Sequence, residues 1–200
     1  MNCLCGIDEA GRGPLAGPVT AAALILGPET PRELLIDSKR LSPRRREAAA
    51  TEIRRTALYW GLGWVNPQEI DELNIHNAAL LAMGRAYNSI ICTMQSRGLQ
   101  RIPITEVLVD GKFAPELPGA GSVRTIIGGD GSVPEIAGAS ILAKTARDAH
   151  MVEQDERYPG YGFALHKGYP TALHRASIER LGPAAIHRRS FNLVRSRSAS

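Results

Sequence analysis

The sequence predicts an α/β protein built around an open sheet, on three observations. Short apolar runs rich in β-forming residues recur over the first two thirds of the chain, helix-start signals alternate with them, and several runs end on an acid beside glycine. With 200 residues, 44% hydrophobic and 22% charged, the chain is long enough to bury a core of its own.

Leu4 to Asp8 and Val19 to Leu26 read as two neighbouring strands, separated by the turn residues Gly-Arg-Gly-Pro. Ser42 before Pro43 opens a helix that continues in Arg, Glu and Ala to Leu58, and Tyr59 to Val65 returns to a strand pattern. Asn66-Pro67-Gln68-Glu69 supplies a capping residue, proline at the first helical position and glutamate at the third, so a helix is expected from there to about Arg97, with a break near Asn74. Ile104 to Val109 is a strand ending at Asp110-Gly111, and Val123 to Ile127 is another ending at Gly128-Gly129-Asp130. Pro134 starts a helix through Met151 whose small residues permit close packing on a sheet. Residues 158–170, rich in Gly, Pro and Tyr, read as a loop before a last helix at about 171–181, and the Ser/Arg end at 195–200 as disordered.

The start of the chain has no basic region and meets acids before any apolar run of signal-peptide length, and no segment approaches a membrane span, so a cytoplasmic protein with no membrane partner is expected. Three cysteines, Cys3, Cys5 and Cys92, are an odd number without zinc-ligand spacing, which argues for reduced thiols. The net charge of +4 is unevenly placed: residues 144–200 carry ten Lys or Arg against five acids, and residues 1–143 fourteen against fifteen. Such asymmetry suits a polyanion, because neutralising phosphates releases counterions.

Asp8, Glu9, Asp110 and Asp130 all fall at strand ends, where sites form in open α/β sheets. Grouped carboxylates repel one another and call for divalent cations held by oxygen, which suits magnesium or manganese. Two such ions activate a water and stabilise the leaving oxygen in phosphodiester hydrolysis. Neighbours in a regular strand face opposite ways, so Asp8 and Glu9 share a site only where the strand twists, bulges or ends. Gly11 and Gly13 let main-chain N–H groups approach a substrate, and Arg12 between them suits phosphate.

Seven stretches resemble the ribonuclease HII family, the bacterial type 2 ribonucleases H. They are Gly-Ile-Asp-Glu-Ala-Gly-Arg-Gly-Pro-Leu-Ala-Gly-Pro-Val from Gly6, Asp-Ser-Lys from Asp37, Asp-Glu-Leu-Asn-Ile from Asp71, Val-Asp-Gly from Val109, Ala-Ser-Ile-Leu-Ala-Lys-Thr-Ala-Arg-Asp from Ala139, His-Lys-Gly-Tyr-Pro-Thr from His166 and His-Arg-Arg-Ser-Phe from His187. The likeness covers nearly all of residues 4–195 and implies a ribonuclease H-like fold, a mixed β-sheet flanked by helices with a helical C-terminal portion. It implies a single catalytic domain over 1–194, including a helical part from about 158. The implied activity is endonucleolytic cleavage of RNA in RNA–DNA hybrids, and of duplex DNA on the 5′ side of a single embedded ribonucleotide, leaving 3′-hydroxyl and 5′-phosphate ends.

By the same resemblance the metal-binding acids are Asp8, Glu9, Asp110 and Asp130, and Gly11, Arg12 and Gly13 recognise the 2′-hydroxyl. Tyr169 matches the family's junction-sensing tyrosine, Lys39 belongs to a motif suited to phosphate, and Asn74 lies near the substrate. Ser140, Lys144 and Arg147, spaced four and three apart, share a helix face suited to a backbone track, although Lys144 could instead pair with Asp148. The chain departs from the family's usual Lys-Gly-Asp in having Gly128-Gly129-Asp130, and it lacks the long N-terminal extension of the ribonuclease HIII group. A monomer is the simplest expectation. The competing readings are a non-catalytic nucleic-acid binder, which would need no set of four acids, and another retroviral-integrase-like nuclease, which would not explain the Gly-Arg-Gly and Gly-Tyr-Pro-Thr segments.

Overall fold

The computed structural model describes residues 3–35, 38, 41–96 and 103–193. Five strands form one sheet in the order β3-β2-β1-β4-β5. β1 (Cys3–Ala10), β2 (Val19–Ile25) and β3 (Tyr59–Val65) pair antiparallel in sequence order, while β4 (Ile104–Asp110) lies parallel to β1 and β5 (Val123–Ile126) parallel to β4. The connections explain the mixture: a turn suffices to return β1 into antiparallel β2, whereas a parallel β4 needs a long crossover, here provided by a helix.

That helix, α2 (Pro67–Ser96), covers one face of the sheet, with Ile70, Ala82, Met83, Tyr87 and Ile90 against Cys5, Ile7 and Val109. α1 (Pro43–Thr56) and α3 (Pro134–Arg157) cover the other, where Ala49, Ile53, Ala139 and Leu142 pack on Ala22 and Leu24. β2 is therefore buried at all seven positions, as expected of a strand covered on both sides. At Gly6 the backbone of Glu135, at the start of α3, comes so close that any side chain would collide with it. This contact seats α3 directly over the end of β1.

The start of α2 is the capping box its sequence predicts: Asn66 Oδ1 accepts from the Glu69 N–H and Glu69 Oε2 from the Asn66 N–H, both at 2.9 Å. The expected break is also present. Asn74 adopts φ 67 and ψ 162, and its Oδ1 accepts from the N–H groups of His76 and Asn77, so it caps the second part of the helix. α3 runs past Met151 to Arg157, and the 158–170 stretch includes one helical turn, α4 (Phe163–His166), ahead of α5 (Ala172–Leu181). Phe163 and Ile178 from this C-terminal portion close a small separate core with Leu15, Ala16 and Met151.

One expectation is corrected in detail. Asp130 does not end a strand: β5 stops at Ile126 and Asp130 sits in the 3-10 turn Gly129–Gly131, where three successive glycine-flanked peptides leave the sheet. The expected tail at 195–200 lies outside the described residues, as does the expected helix end at Arg97. Among the described residues no helix is long and apolar enough to cross a membrane.

Candidate active site

Asp8 and Asp110 arise from one feature of the sheet, the parallel pairing of β1 with β4. Ile7 is in register with Val109, and both pack toward α2, so the following residue of each strand turns toward α3. Asp8 is thereby buried beneath Ser140 of α3, whose Oγ also lies 2.9 Å from Ser38 Oγ. Asp8 Oδ1 accepts from the Glu9 N–H at 2.7 Å. Glu9 belongs to the opposite pleat, yet lines the same cleft: β1 does not end at Asp8 as expected but stays paired with β2 to Ala10, and it is the pairing with β4 that stops at Ile7 and leaves that edge open. Glu9 Oε1 meets Nη1 of Arg12 at 3.3 Å.

The cleft holds about 300 Å³, and Asp8, Glu9, Asp110, the Gly11–Gly13 turn, Lys144 and Tyr169 line it. Burial first, then the charges of Glu9 and Asp110, hold the Asp8 carboxyl well above the usual carboxylate range. Burial also raises Glu9, against the opposing pull of Arg12. Crowded carboxyls with oxygen-only donors fit hard divalent cations, whose charge would relieve this repulsion. Among the described residues, no three acidic, histidine or cysteine side chains are already drawn together as a ligand set.

Asp130 is buried but is not a lining residue of the cleft. Its turn is nonetheless tied to the site, since the Gly129 N–H donates to Asp110 Oδ1 at 2.7 Å.

The expected backbone track on α3 divides. Lys144 reaches the cleft and pairs with Asp148 at 2.7 Å, and Asp148 also faces Arg46 at 3.6 Å. Ser140 turns to Asp8 and Ser38. Arg147 corrects the expectation of an exposed contact: it is fully buried and donates to the carbonyls of Pro18, Ala16 and Lys167 at 2.9, 3.1 and 3.0 Å. Tyr169 is 39% exposed, with Lys144 Nζ 5.5 Å and the Arg147 guanidinium 5.9 Å from its ring centre. Its ring edge would lie 3.8 Å from a Cβ placed on Gly13. Asn74 lies outside the cleft lining, its side-chain oxygen engaged in capping, and Lys39 lies outside the described residues.

Sequence reasoning passed over Arg188, the most heavily bonded side chain near the site. It is fully buried and donates to the carbonyls of Gly11, Arg12, Gly17 and Pro18 at 2.6 to 3.1 Å. Desolvation pushes its pKa down to about 9 and that of Arg147 to about 10. The His-Arg-Arg-Ser-Phe motif marked the segment but not which arginine turns inward. Asp71 fixes that segment, accepting from the Arg189 and Ser190 N–H groups at 2.8 and 2.9 Å.

The sequence profile of ribonuclease HII matches residues 5–194. The chain belongs to the ribonuclease HII family. It is 53% identical over 192 residues to the ribonuclease HII of Laribacter hongkongensis, covering 96% of this chain and 92% of that one. It is 54% identical over 191 residues to the ribonuclease HII of Halorhodospira halophila, covering 95% and 92%. Among solved structures, the ribonuclease H2 of Pyrococcus horikoshii superposes with a TM-score of 0.76 at 24% identity, over 96% of this chain and 95% of that one. The ribonuclease HII of Archaeoglobus fulgidus, solved in complex with PCNA, gives 0.74 at 25% identity over 97% of both chains. A Bst-RNase HIII in complex with Mn2+ gives 0.74 at 15% identity, over 96% of this chain and 68% of that one. Membership of the ribonuclease HII family makes the chain a ribonuclease H, a hydrolytic endonuclease acting on RNA-containing nucleic acid with divalent metal.

Proposed function

We propose that this chain cuts the RNA strand of RNA–DNA hybrids and cuts duplex DNA on the 5′ side of a single embedded ribonucleotide, with Asp8, Glu9, Asp110 and Asp130 as the metal-binding acids. The observation that carries the reading is the abutment of Gly13 and Tyr169 in the cleft that also holds Asp8 and Asp110. A glycine turn and an aromatic ring, side by side, can contact two successive sugars: one whose 2′-hydroxyl the turn's main chain reads, and a following deoxyribose against which the ring stacks.

In this reading each residue of the cleft has a task. Asp8 and Asp110, on adjacent strand ends, hold the hard cations together with Glu9, and Asp130 joins from the turn that bonds Asp110. Bound magnesium or manganese would supply a deprotonated water and neutralise the charge developing on the leaving oxygen. Ser140 donates to Asp8 and keeps its carboxylate aimed. Arg12, half exposed and tethered to Glu9, offers a fork to a neighbouring phosphate. Lys144, held by Asp148, places its charge beside the Tyr169 ring along the strand's path. A cytoplasmic monomer suffices for this arrangement, because every group named comes from one chain.

The test is cleavage of a DNA duplex carrying one ribonucleotide, with an all-DNA control, in magnesium and then manganese, comparing the natural protein with Asp8→Asn. Metal-dependent cutting 5′ of the ribonucleotide that disappears in the variant supports the assignment. Binding without cutting in either metal would return the chain to the class of non-catalytic binders, while cutting that survives Asp8→Asn would remove Asp8 from the metal set.

A further inference from the structure

Arg188 presents a puzzle: a guanidinium charged at neutral pH has been taken fully out of water, which costs free energy, to bond main-chain carbonyls. Its four bonds converge on one piece of chain. Nη2 donates to Gly11 at 2.6 Å and Pro18 at 3.1 Å, Nη1 to Arg12 at 3.0 Å and Nε to Gly17 at 2.9 Å. The segment that carries it is itself pinned to the residues after the turn, with the Arg188 N–H donating to Leu15 O at 2.8 Å and the Gly17 N–H to Ile186 O at 2.9 Å.

The direction of these bonds matters. A peptide unit is planar and trans, so its carbonyl and its N–H point opposite ways. Drawing the Gly11 and Arg12 carbonyls down onto the guanidinium turns the N–H groups of Arg12 and Gly13 outward, toward the cleft that these residues line. A buried cation at the carbonyl end also polarises both peptides and makes their N–H groups better donors. Arg147 supports the other flank: a Cβ on Gly11 would collide with its Nε, and its Nη1 reaches Lys167 O, two residues before Tyr169.

We propose that Arg188 is a positioning residue for ribose selection, whose guanidinium fixes the peptides of the Gly-Arg-Gly turn with the Arg12 and Gly13 N–H groups presented to the sugar and phosphate of the cleaved nucleotide. This rests on the reading of that turn given under Proposed function. Lysine cannot substitute, because an ammonium is a point charge with three donors on one atom and cannot reach four carbonyls spread around a planar fork.

The experiment compares the affinity for a duplex containing one ribonucleotide with that for the same duplex in all-DNA form, in calcium so that binding is read apart from turnover. Arg188→Lys is expected to lower the ratio of the two affinities about tenfold while leaving all-DNA binding within about twofold. An equal fall in both affinities, or an unchanged ratio with only a lower melting temperature, overturns the proposal and leaves Arg188 a structural clamp. Where Arg188→Lys does not fold, Arg188→Gln decides: its neutral amide is shorter than the guanidinium and cannot bond all four carbonyls. A reduced ratio supports the proposal and an unchanged one overturns it. Gly13→Ala separates this failure from failure of the underlying reading, since the nearest atom to its Cβ is 3.8 Å away and the fold can accept it. If Gly13→Ala lowers the ratio and the Arg188 variants do not, the turn reads ribose without Arg188. If Gly13→Ala leaves the ratio unchanged, the turn does not read ribose, and the role given to Arg188 falls with it.

Discussion

His174 and His187 meet Nε2 to Nε2 at 3.1 Å, with both rings buried. One proton must lie between two nitrogens at this distance. Nδ1 of His174 is 2.9 Å from Tyr169 O and Nδ1 of His187 is 3.2 Å from Ala184 O, and a carbonyl oxygen only accepts. Were both rings to keep their protons on Nδ1, two lone pairs would face each other. The shorter bond decides the tautomers: His174 carries its proton on Nδ1 and bonds Tyr169, and His187 donates from Nε2. His166 stacks on His174 and takes the Gly168 N–H on Nδ1 at 3.2 Å, so its own proton is on Nε2, facing Tyr161 O. Nitrogen chemical shifts at neutral pH should report these three tautomers.

The same cluster sets an acid limit on stability. Burial lowers the pKa values of His166 and His187, and takes that of His174 down to about 4. Above the ordinary histidine pKa of 6.5 both folded and unfolded states are neutral and nothing is lost. Below it the unfolded chain takes up protons that the folded one refuses, so stability falls with pH until the folded His174 titrates near 4. The fall for His174 alone is at most about 1.4 kcal/mol per pH unit. Asp8 and Glu9, raised by burial, titrate in the opposite sense, so the check is made on the cluster itself: the nitrogen shifts of His174 in the folded protein should stay those of a neutral ring down to about pH 5, and an imidazolium signal there would show that the cluster accepts a proton.

Asp8→Asn should trade stability against function. The carboxyl is buried beside Glu9 and Asp110, whose charges oppose its ionisation, while Ser140 and the Glu9 N–H require only an acceptor oxygen, which an amide retains. Removing one charge from the crowd should stabilise the metal-free protein by about 1 kcal/mol, or roughly 2–4 °C in a chain of this length. Cleavage should fall by more than about 100-fold, beyond the loss that follows from disturbing a mere neighbour of a metal ligand. A melting temperature below that of the natural protein in EDTA would contradict the repulsion argument.

Gly11→Ala should damage the fold where Gly13→Ala does not. Gly11 has φ +97, a region disfavoured for L side chains, and its Cβ would strike the Arg147 side chain and approach Pro18 O at 2.9 Å. Backbone strain alone costs about 1–2 kcal/mol, before the arginine is displaced from its three carbonyls. The melting temperature should fall by at least several degrees. An unchanged value would mean that Arg147 can swing aside, and that its carbonyl bonds hold the turn only weakly.

These relationships differ in how far they are visible in the sequence. Alternation, capping and turn residues are local signals, so the five strands, the capping box at Asn66 and Glu69 and the break at Asn74 were all legible. Asp8, Glu9 and Asp110 were legible as strand-end acids, because parallel strands bring their ends together. The spacing of Ser140, Lys144 and Arg147 correctly places them on one helical face, but spacing does not say what covers that face. Residues 186–188, far along the chain, pack beside 15–17 and extend that cover. Arg147 and Arg188 are thus buried through long-range contacts that no local pattern encodes. Asp130 was legible as an acid near glycines, while its place in a turn rather than at a strand end depends on where β5 stops.

Tyr169 supplies the sharpest prediction for substrate choice. Its ring is 39% exposed and it lies in the cleft against Gly13, so removing it empties a surface and leaves the core intact. Its main-chain carbonyl, which His174 bonds, is unaffected by the side chain. Tyr169→Ala should therefore melt within a few degrees of the natural protein. A ring stacked on a deoxyribose is worth about 0.5–1.5 kcal/mol, up to about tenfold in rate or affinity. The loss should appear at a single ribonucleotide followed by DNA and be smaller on a long hybrid, where the following sugar carries its own hydroxyl. Tyr169→Phe, which keeps the ring, should retain most of the preference. Equal losses on the two substrates would show that the ring serves general strand binding beside Lys144 rather than the reading of the junction.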